Sequence, residues 1–167
     1  MYSCFVFLLL VAAVTAFKSK TCGGDYAELR INDISDPLIL REGQTVHADF
    51  RVDIRKVFPT SVRAKITLKR KVWFAWVPVP CFSGVGSCTH TVTCDMINKM
   101  QAQNGGDIQY PCPSQPRVVS RKISYQLPKI PGAVSTFGGG DYFVRVEIQS
   151  MNGHKLACAE GNIRVKT

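Results

Sequence analysis

Val46-His47-Ala48-Asp49-Phe50-Arg51-Val52-Asp53-Ile54-Arg55 alternates without a break. Val46, Ala48, Phe50, Val52 and Ile54 are apolar, while His47, Asp49, Arg51, Asp53 and Arg55 are polar or charged. Successive side chains of a strand point to opposite faces, so this stretch reads as a strand with one face for a core and one for water. The same period of two recurs further on. Val62, Ala64, Ile66 and Leu68 alternate with Arg63, Lys65, Thr67 and Lys69, and Tyr142, Val144, Val146 and Ile148 alternate with Phe143, Arg145, Glu147 and Gln149.

Shorter strands are expected at Glu28–Ile34, Val72–Val77, Lys122–Gln126 and Leu156–Val165. Turn signals separate them at Asp36-Pro37, Glu42-Gly43, Phe58-Pro59, Gly138-Gly139-Gly140 and Asn152-Gly153, the last suited to a two-residue hairpin. One stretch departs from the pattern. Thr91–Gln103 places Val92, Met96, Ile97 and Met100 at helical spacing, and Asn104-Gly105-Gly106 can end a helix there. The residues therefore predict an all-β sandwich or barrel with one short helix tied to the sheet by Cys94.

At the amino end, Tyr2–Ala16 holds no charged residue, and Phe5–Val14 is an apolar run shorter than the about 20 residues a spanning helix needs. Val14-Thr15-Ala16 puts small residues at a cleavage position, so residues 1–16 read as a secretory signal peptide and 17–167 as the mature domain. Cys4 would leave with that peptide. Cys22, Cys81, Cys88, Cys94, Cys112 and Cys158 remain, an even set that reads as three disulfides in a secreted chain, with about 15 connectivities open. Paired C-x-x-C spacing is lacking, so no zinc site and no cofactor are expected. The net charge of +9 favours anionic partners. The basic residues are spread over several strands rather than clustered with aromatics, which argues against nucleic acid and leaves an anionic membrane surface as the expected peripheral partner.

Two stretches break the rule of apolar inside and polar outside. Val72-Trp73-Phe74-Ala75-Trp76-Val77-Pro78-Val79-Pro80 has no polar side chain, and Trp73, Phe74 and Trp76 cannot all face one way on an extended chain. Contiguous exposed apolar area usually marks a binding site. The second stretch, Leu127 to Gly140, is long enough to be a binding loop and ends in glycines. Catalytic signatures are missing: there is no G-x-S-x-G, no H-E-x-x-H and no P-loop. His47 and His154 fall on a charged face and in a turn. The chain is expected to be non-catalytic.

Val79-Pro80-Cys81-Phe82-Ser83-Gly84-Val85-Gly86-Ser87-Cys88-Thr89 resembles the signature of the ganglioside-activator branch of the ML-domain lipid-recognition family. The resemblance continues through Cys94-Asp95, Pro111-Cys112-Pro113, Tyr125-Gln126-Leu127-Pro128, Gly140-Asp141-Tyr142 and Gly153-His154-Lys155-Leu156-Ala157-Cys158. It implies a two-sheet antiparallel β-sandwich cup, immunoglobulin-like, with an internal lipid cavity. It also implies the pairings Cys22–Cys158, Cys81–Cys88 and Cys94–Cys112. A fourth disulfide of that branch, in the loop after the helix, has no counterpart in this chain, and no N-x-[ST] sequon is present.

The resemblance places Trp73, Phe74 and Trp76 on one rim loop and Ile130, Val134 and Phe137 on the other. Phe50, Val52, Ile66, Leu68, Val144 and Val146 would line the cavity. It implies a protein of the secretory route or lysosomal lumen that takes a glycosphingolipid or other amphipathic lipid from a membrane and presents it, as an activator, to a lysosomal glycosidase. The alternative within the same fold is an extracellular lipid sensor or co-receptor of innate immunity.

Overall fold

The computed structural model describes residues 19–39, 41, 43–82, 84–103, 112–126 and 138–166. The expected leader at 1–16, Asn104-Gly105-Gly106 and Ile130, Val134 and Phe137 lie outside these residues. In chain order the elements are β1 (Lys20–Thr21), β2 (Ala27–Ile34), β3 (Leu38–Ile39), β4 (Thr45–Ile54), β5 (Ser61–Val72), β6 (Ala75–Pro78), β7 (Thr89–Thr93), α1 (Cys94–Gln103), β8 (Arg117–Gln126), β9 (Gly140–Gln149) and β10 (Lys155–Lys166).

Two sheets form. One has the order β2-β4-β8, all antiparallel. The other runs β1-β10-β9-β5-β6, with β7 also pairing β5 and β3 adding to β10 in parallel. The alternating stretch at Val46–Ile54 is β4, the centre of the smaller sheet, and Ala48, Phe50, Val52 and Ile54 register with residues of both neighbours. The fold is thus an antiparallel β-sandwich with one short helix, as the alternation predicts.

The sheets are fastened along one side. Cys22 is bonded to Cys158, Cys22 N–H donates to Cys158 O at 3.1 Å, and Tyr26 N–H donates to Leu156 O at 3.0 Å. Leu156, Ala157, Cys158 and Ala159 of β10 are buried, Leu156 to 1% exposure, and Ala27 opens β2 at 3%. Cys94–Cys112 ties α1 to the segment leading into β8, and Cys81–Cys88 closes a small loop before β7. These are the three pairings the resemblance implies.

Three local expectations are corrected. Thr91, Val92 and Thr93 are strand, paired with Arg63, Val62 and Ser61, so Val92 is not on the helix. Their β-branched side chains suit a pleated edge. The helix begins at Cys94 because Thr93 Oγ1 accepts from Met96 N–H at 3.4 Å, an N-cap, and Asp95 sits favourably in the first turn. Val72–Val77 is not one strand: Val72 registers with Ala75, and Trp73-Phe74 forms the tip of a hairpin. The β9–β10 connection is not a two-residue turn on Asn152-Gly153. Gly153 N–H donates to Ser150 O and Ser150 N–H to His154 O, and Gly153, not Asn152, has the positive φ. That is a type I turn followed by a left-handed glycine, the longer hairpin form.

Candidate functional site

The apolar rows of the two sheets supply the lining. On β5 and β9, Ile66 registers with Val146 and Leu68 with Val144, a four-residue patch on one face. On the smaller sheet Phe50 lies beside Ile31, and Val52 beside Leu29 and Val119. Phe50, Val52, Ile66, Leu68, Val144 and Val146 are all half-buried. Side chains pressed between two closed sheets reach full burial. The fully buried residues here are concentrated instead along β10 and the elements beside it. Burial is complete along the stapled side and partial at these six positions, although Val62 and Tyr142 on the same rows of β5 and β9 are buried. The smaller sheet's row also carries charge, since Arg117 and Arg121 register with Ile54 and Phe50.

At one end of these rows stands the β5–β6 hairpin. Val72, Trp73, Phe74, Trp76 and Val77 are all exposed, Trp73 to 89% and Phe74 to 91%. Trp73 has φ of +57° at the first central position of a two-residue hairpin loop. Glycine is the ordinary occupant there, and a bulky L-residue in that region costs about 1–2 kcal/mol. A residue held in a strained conformation with its ring in water contributes nothing to packing, which marks it as a candidate for contact with a partner.

Trp76 differs from its neighbours. It registers with Lys71 on the outward row and meets Phe143 edge-on at 6.2 Å, with Lys69 and Arg145 cations over the Phe143 ring at 5.8 and 5.7 Å. The outward row of β5 is Arg63, Lys65, Thr67, Lys69 and Lys71, a basic strip running up to the hairpin tip. On β9 and β10 the outward charges are matched: Arg145 with Glu160 at 2.7 Å, Arg164 with Asp141 at 3.1 Å and Lys155 with Glu147 at 3.8 Å.

The ionisable groups with displaced pKa values lie mostly at the far end. Hydrogen bonds from Lys56 and then His154 hold the Asp25 carboxyl down at about 2. Arg30, with help from Arg55, lowers Glu28. Burial raises the Tyr142 phenol, against an opposing pull from Arg70. His47 Nδ1 lies 2.8 Å from Ser124 Oγ on the exposed face of β4 and β8, and His154 Nε2 lies 3.0 Å from Asp25 Oδ1. A hollow of about 450 Å³ lies at the hairpin end, lined by Gly139, Gly140, Asp141, Arg164, Val165 and Lys166. It is a surface feature beside the rows rather than the space between them.

Residues 16–165 match the family model described as the ML domain. Among solved structures the chain is similar to a Niemann-Pick type C2 protein from Japanese carpenter ant, at 13% identity, covering 88% of this chain and 98% of that one with a TM-score of 0.46. It is similar to the C-terminal domain of wzt at 15% identity, covering 90% and 78% with a TM-score of 0.40. It is also similar to chicken MD-1 complexed with lipid IVa at 13% identity, covering 89% and 97% with a TM-score of 0.35. No curated protein matches the chain.

Proposed function

The chain belongs to the ML-domain family, and on that premise we propose that it is a non-catalytic lipid-binding protein of the secretory route or lysosomal lumen. Residues 1–16 serve as its leader and 17–167 as its lipid-binding domain. It takes a glycosphingolipid or other amphipathic lipid between its two sheets, against Phe50, Val52, Ile66, Leu68, Val144 and Val146. It meets the membrane with Trp73 and Phe74, joined by Ile130, Val134 and Phe137 on the second rim loop.

The observation that carries this reading is the hairpin tip. Two aromatic rings stand almost fully in water, one on a strained backbone, at the end of two half-buried apolar rows. Tryptophan favours the interface between water and lipid, and the basic strip of β5 would hold that tip at an anionic surface. The apolar rows then offer acyl chains a dry place, and a bound lipid stabilises the fold by mass action.

Lipids extracted from the purified native protein and identified by mass spectrometry test the binding. A tightly held amphiphile is the expected result, and a protein that is lipid-free and does not take lipid from vesicles would overturn it. The finer role is that of a ganglioside activator. Its support is the Pro80–Pro113 signature, and its test is whether the protein speeds a glycosidase acting on membrane-bound ganglioside. No acceleration would remove the activator role and leave the carrier.

A further inference from the structure

The row on β5 that carries Val62, Ala64, Ile66 and Leu68 continues to Arg70. A guanidinium therefore takes the next place in an apolar row, at the hairpin end. Arg70 registers with Tyr142, which is 3% exposed and packs with Val79, Val165, Leu68 and Ile163. Arg70 Nη2 donates to Gly139 O at 2.9 Å, and the Tyr142 hydroxyl donates to Gly138 O at 2.8 Å. The close seat depends on glycine: a Cβ at Gly138, where φ is +65°, would lie 3.3 Å from Arg70 Nη2.

The rest of the guanidinium is less well served. Its Nε is buried with no hydrogen-bond partner, and none of the ion pairs among the described residues includes Arg70. A half-buried cation with one neutral acceptor and no counter-ion among the described residues is unfavourable by itself, and an anion placed beside it restores the balance. A guanidinium fork fits carboxylate and phosphate through paired N–H bonds.

We infer that Arg70 is a head-group anchor, so that the cleft selects amphiphiles with an acidic head, carboxylate or phosphate. The head sits at Arg70 and the tail runs down the row of Leu68 and Ile66 with Val144 and Val146. This rests on the lipid-binding reading above and specifies its ligand class. A neutral-headed lipid leaves the charge unmatched, and a free anion leaves the apolar rows empty.

The test uses the whole mature protein and competition for a neutral fluorescent lipid near pH 7. Palmitic acid is compared with hexadecanol, which has the same chain without the charge, and phosphatidic acid with diacylglycerol. Inorganic phosphate is the third arm. The expected result is a preference for the acid of about tenfold or more, the factor a charge-assisted hydrogen bond supplies. Arg70→Gln should erase that preference while hexadecanol still binds, Arg70→Lys should keep part of it, and phosphate alone should not compete.

Equal affinity for acid and alcohol in the unaltered protein overturns the inference but leaves lipid binding intact, and Arg70 is then only the clamp of the glycine turn. Phosphate competing as strongly as palmitic acid makes it a free-anion site and also overturns it. Failure of every lipid to bind overturns both readings. If Arg70→Gln does not fold, the acid-to-alcohol ratio in the unaltered protein and in Arg70→Lys decides.

Discussion

The two sides of this molecule use apolar residues in opposite ways. Along β10, Leu156 to Ala159 are sealed under a disulfide and interlocking backbone hydrogen bonds, with Leu156 and Cys158 each 1% exposed. On the β5–β6 hairpin, the residues from Val72 to Val77 are all exposed, Trp73 and Phe74 almost fully. Hydrophobic composition is similar in the two places, and the consequence differs. At the first site burial stabilises the fold; at the second the exposed apolar area contributes no such stabilisation and is the kind of surface that suits a binding partner.

The contrast breaks most visibly at the staple. Cys22→Ser with Cys158→Ser opens a loop with a sequence separation of 136 and should lower stability by about 4–5 kcal/mol. The change is read as a fall in the denaturant midpoint, and a midpoint that does not move would show that the β1–β10 pairing suffices. Leu156→Ala should cost about 2–5 kcal/mol by leaving a cavity in the same seam, whereas Trp73→Ala with Phe74→Ala should change stability by about 0.5 kcal/mol or less. The double tip variant should instead lose most of its lipid extraction from vesicles. Global unfolding of that variant would make the rings core residues.

A finer probe exploits the strained backbone. Trp73→Gly should stabilise the protein by about 1 kcal/mol, because glycine tolerates the positive φ, while weakening vesicle binding. Opposite signs for stability and binding in one variant are the signature of a residue kept for contact. Loss of both together would refute that assignment.

The smallest effect concerns acid. Asp25 is held at about 2 in the fold against an ordinary value of 3.8. A depressed carboxyl contributes stability above its unfolded pKa, and the contribution fades as pH falls from about 4 toward about 2. The Lys56 and His154 contacts of Asp25 should therefore be intact at pH 5. Urea midpoints at pH 5, 3 and 2 should converge for the unaltered protein and Asp25→Asn as the pH falls. Curves that stay parallel would remove Asp25 from the acid response.

Most of the sheet was legible because β4, β5 and β9 each set a row of apolar side chains on one face against mostly polar ones on the other, which imprints a period of two on the sequence. The two-residue strands β1 and β3 are too short to leave such a mark. Val92 matched both periods, and its pairing with Val62 across strands decided in favour of sheet. The Trp73-Phe74 turn carries none of the usual turn residues, so an uninterrupted strand was the natural expectation there. Arg70 could have been found. It occupies the parity of Leu68 and Ile66, and a charge in an apolar row is the pattern's own exception. What no alternation could reveal is how far apart the two rows stand, since that depends on which edges are stapled.

The length of β5 has a consequence for transfer itself. At about 3.3 Å per residue, the row from Leu68 down to Val62 spans about 20 Å. One leaflet of a bilayer holds about 15 Å of hydrocarbon, half of the about 30 Å core. On the head-group reading proposed for Arg70, a lipid leaving the leaflet would find an apolar row at least as long as the depth it vacates. The strand is therefore long enough to accompany an acyl chain over the full depth of one leaflet.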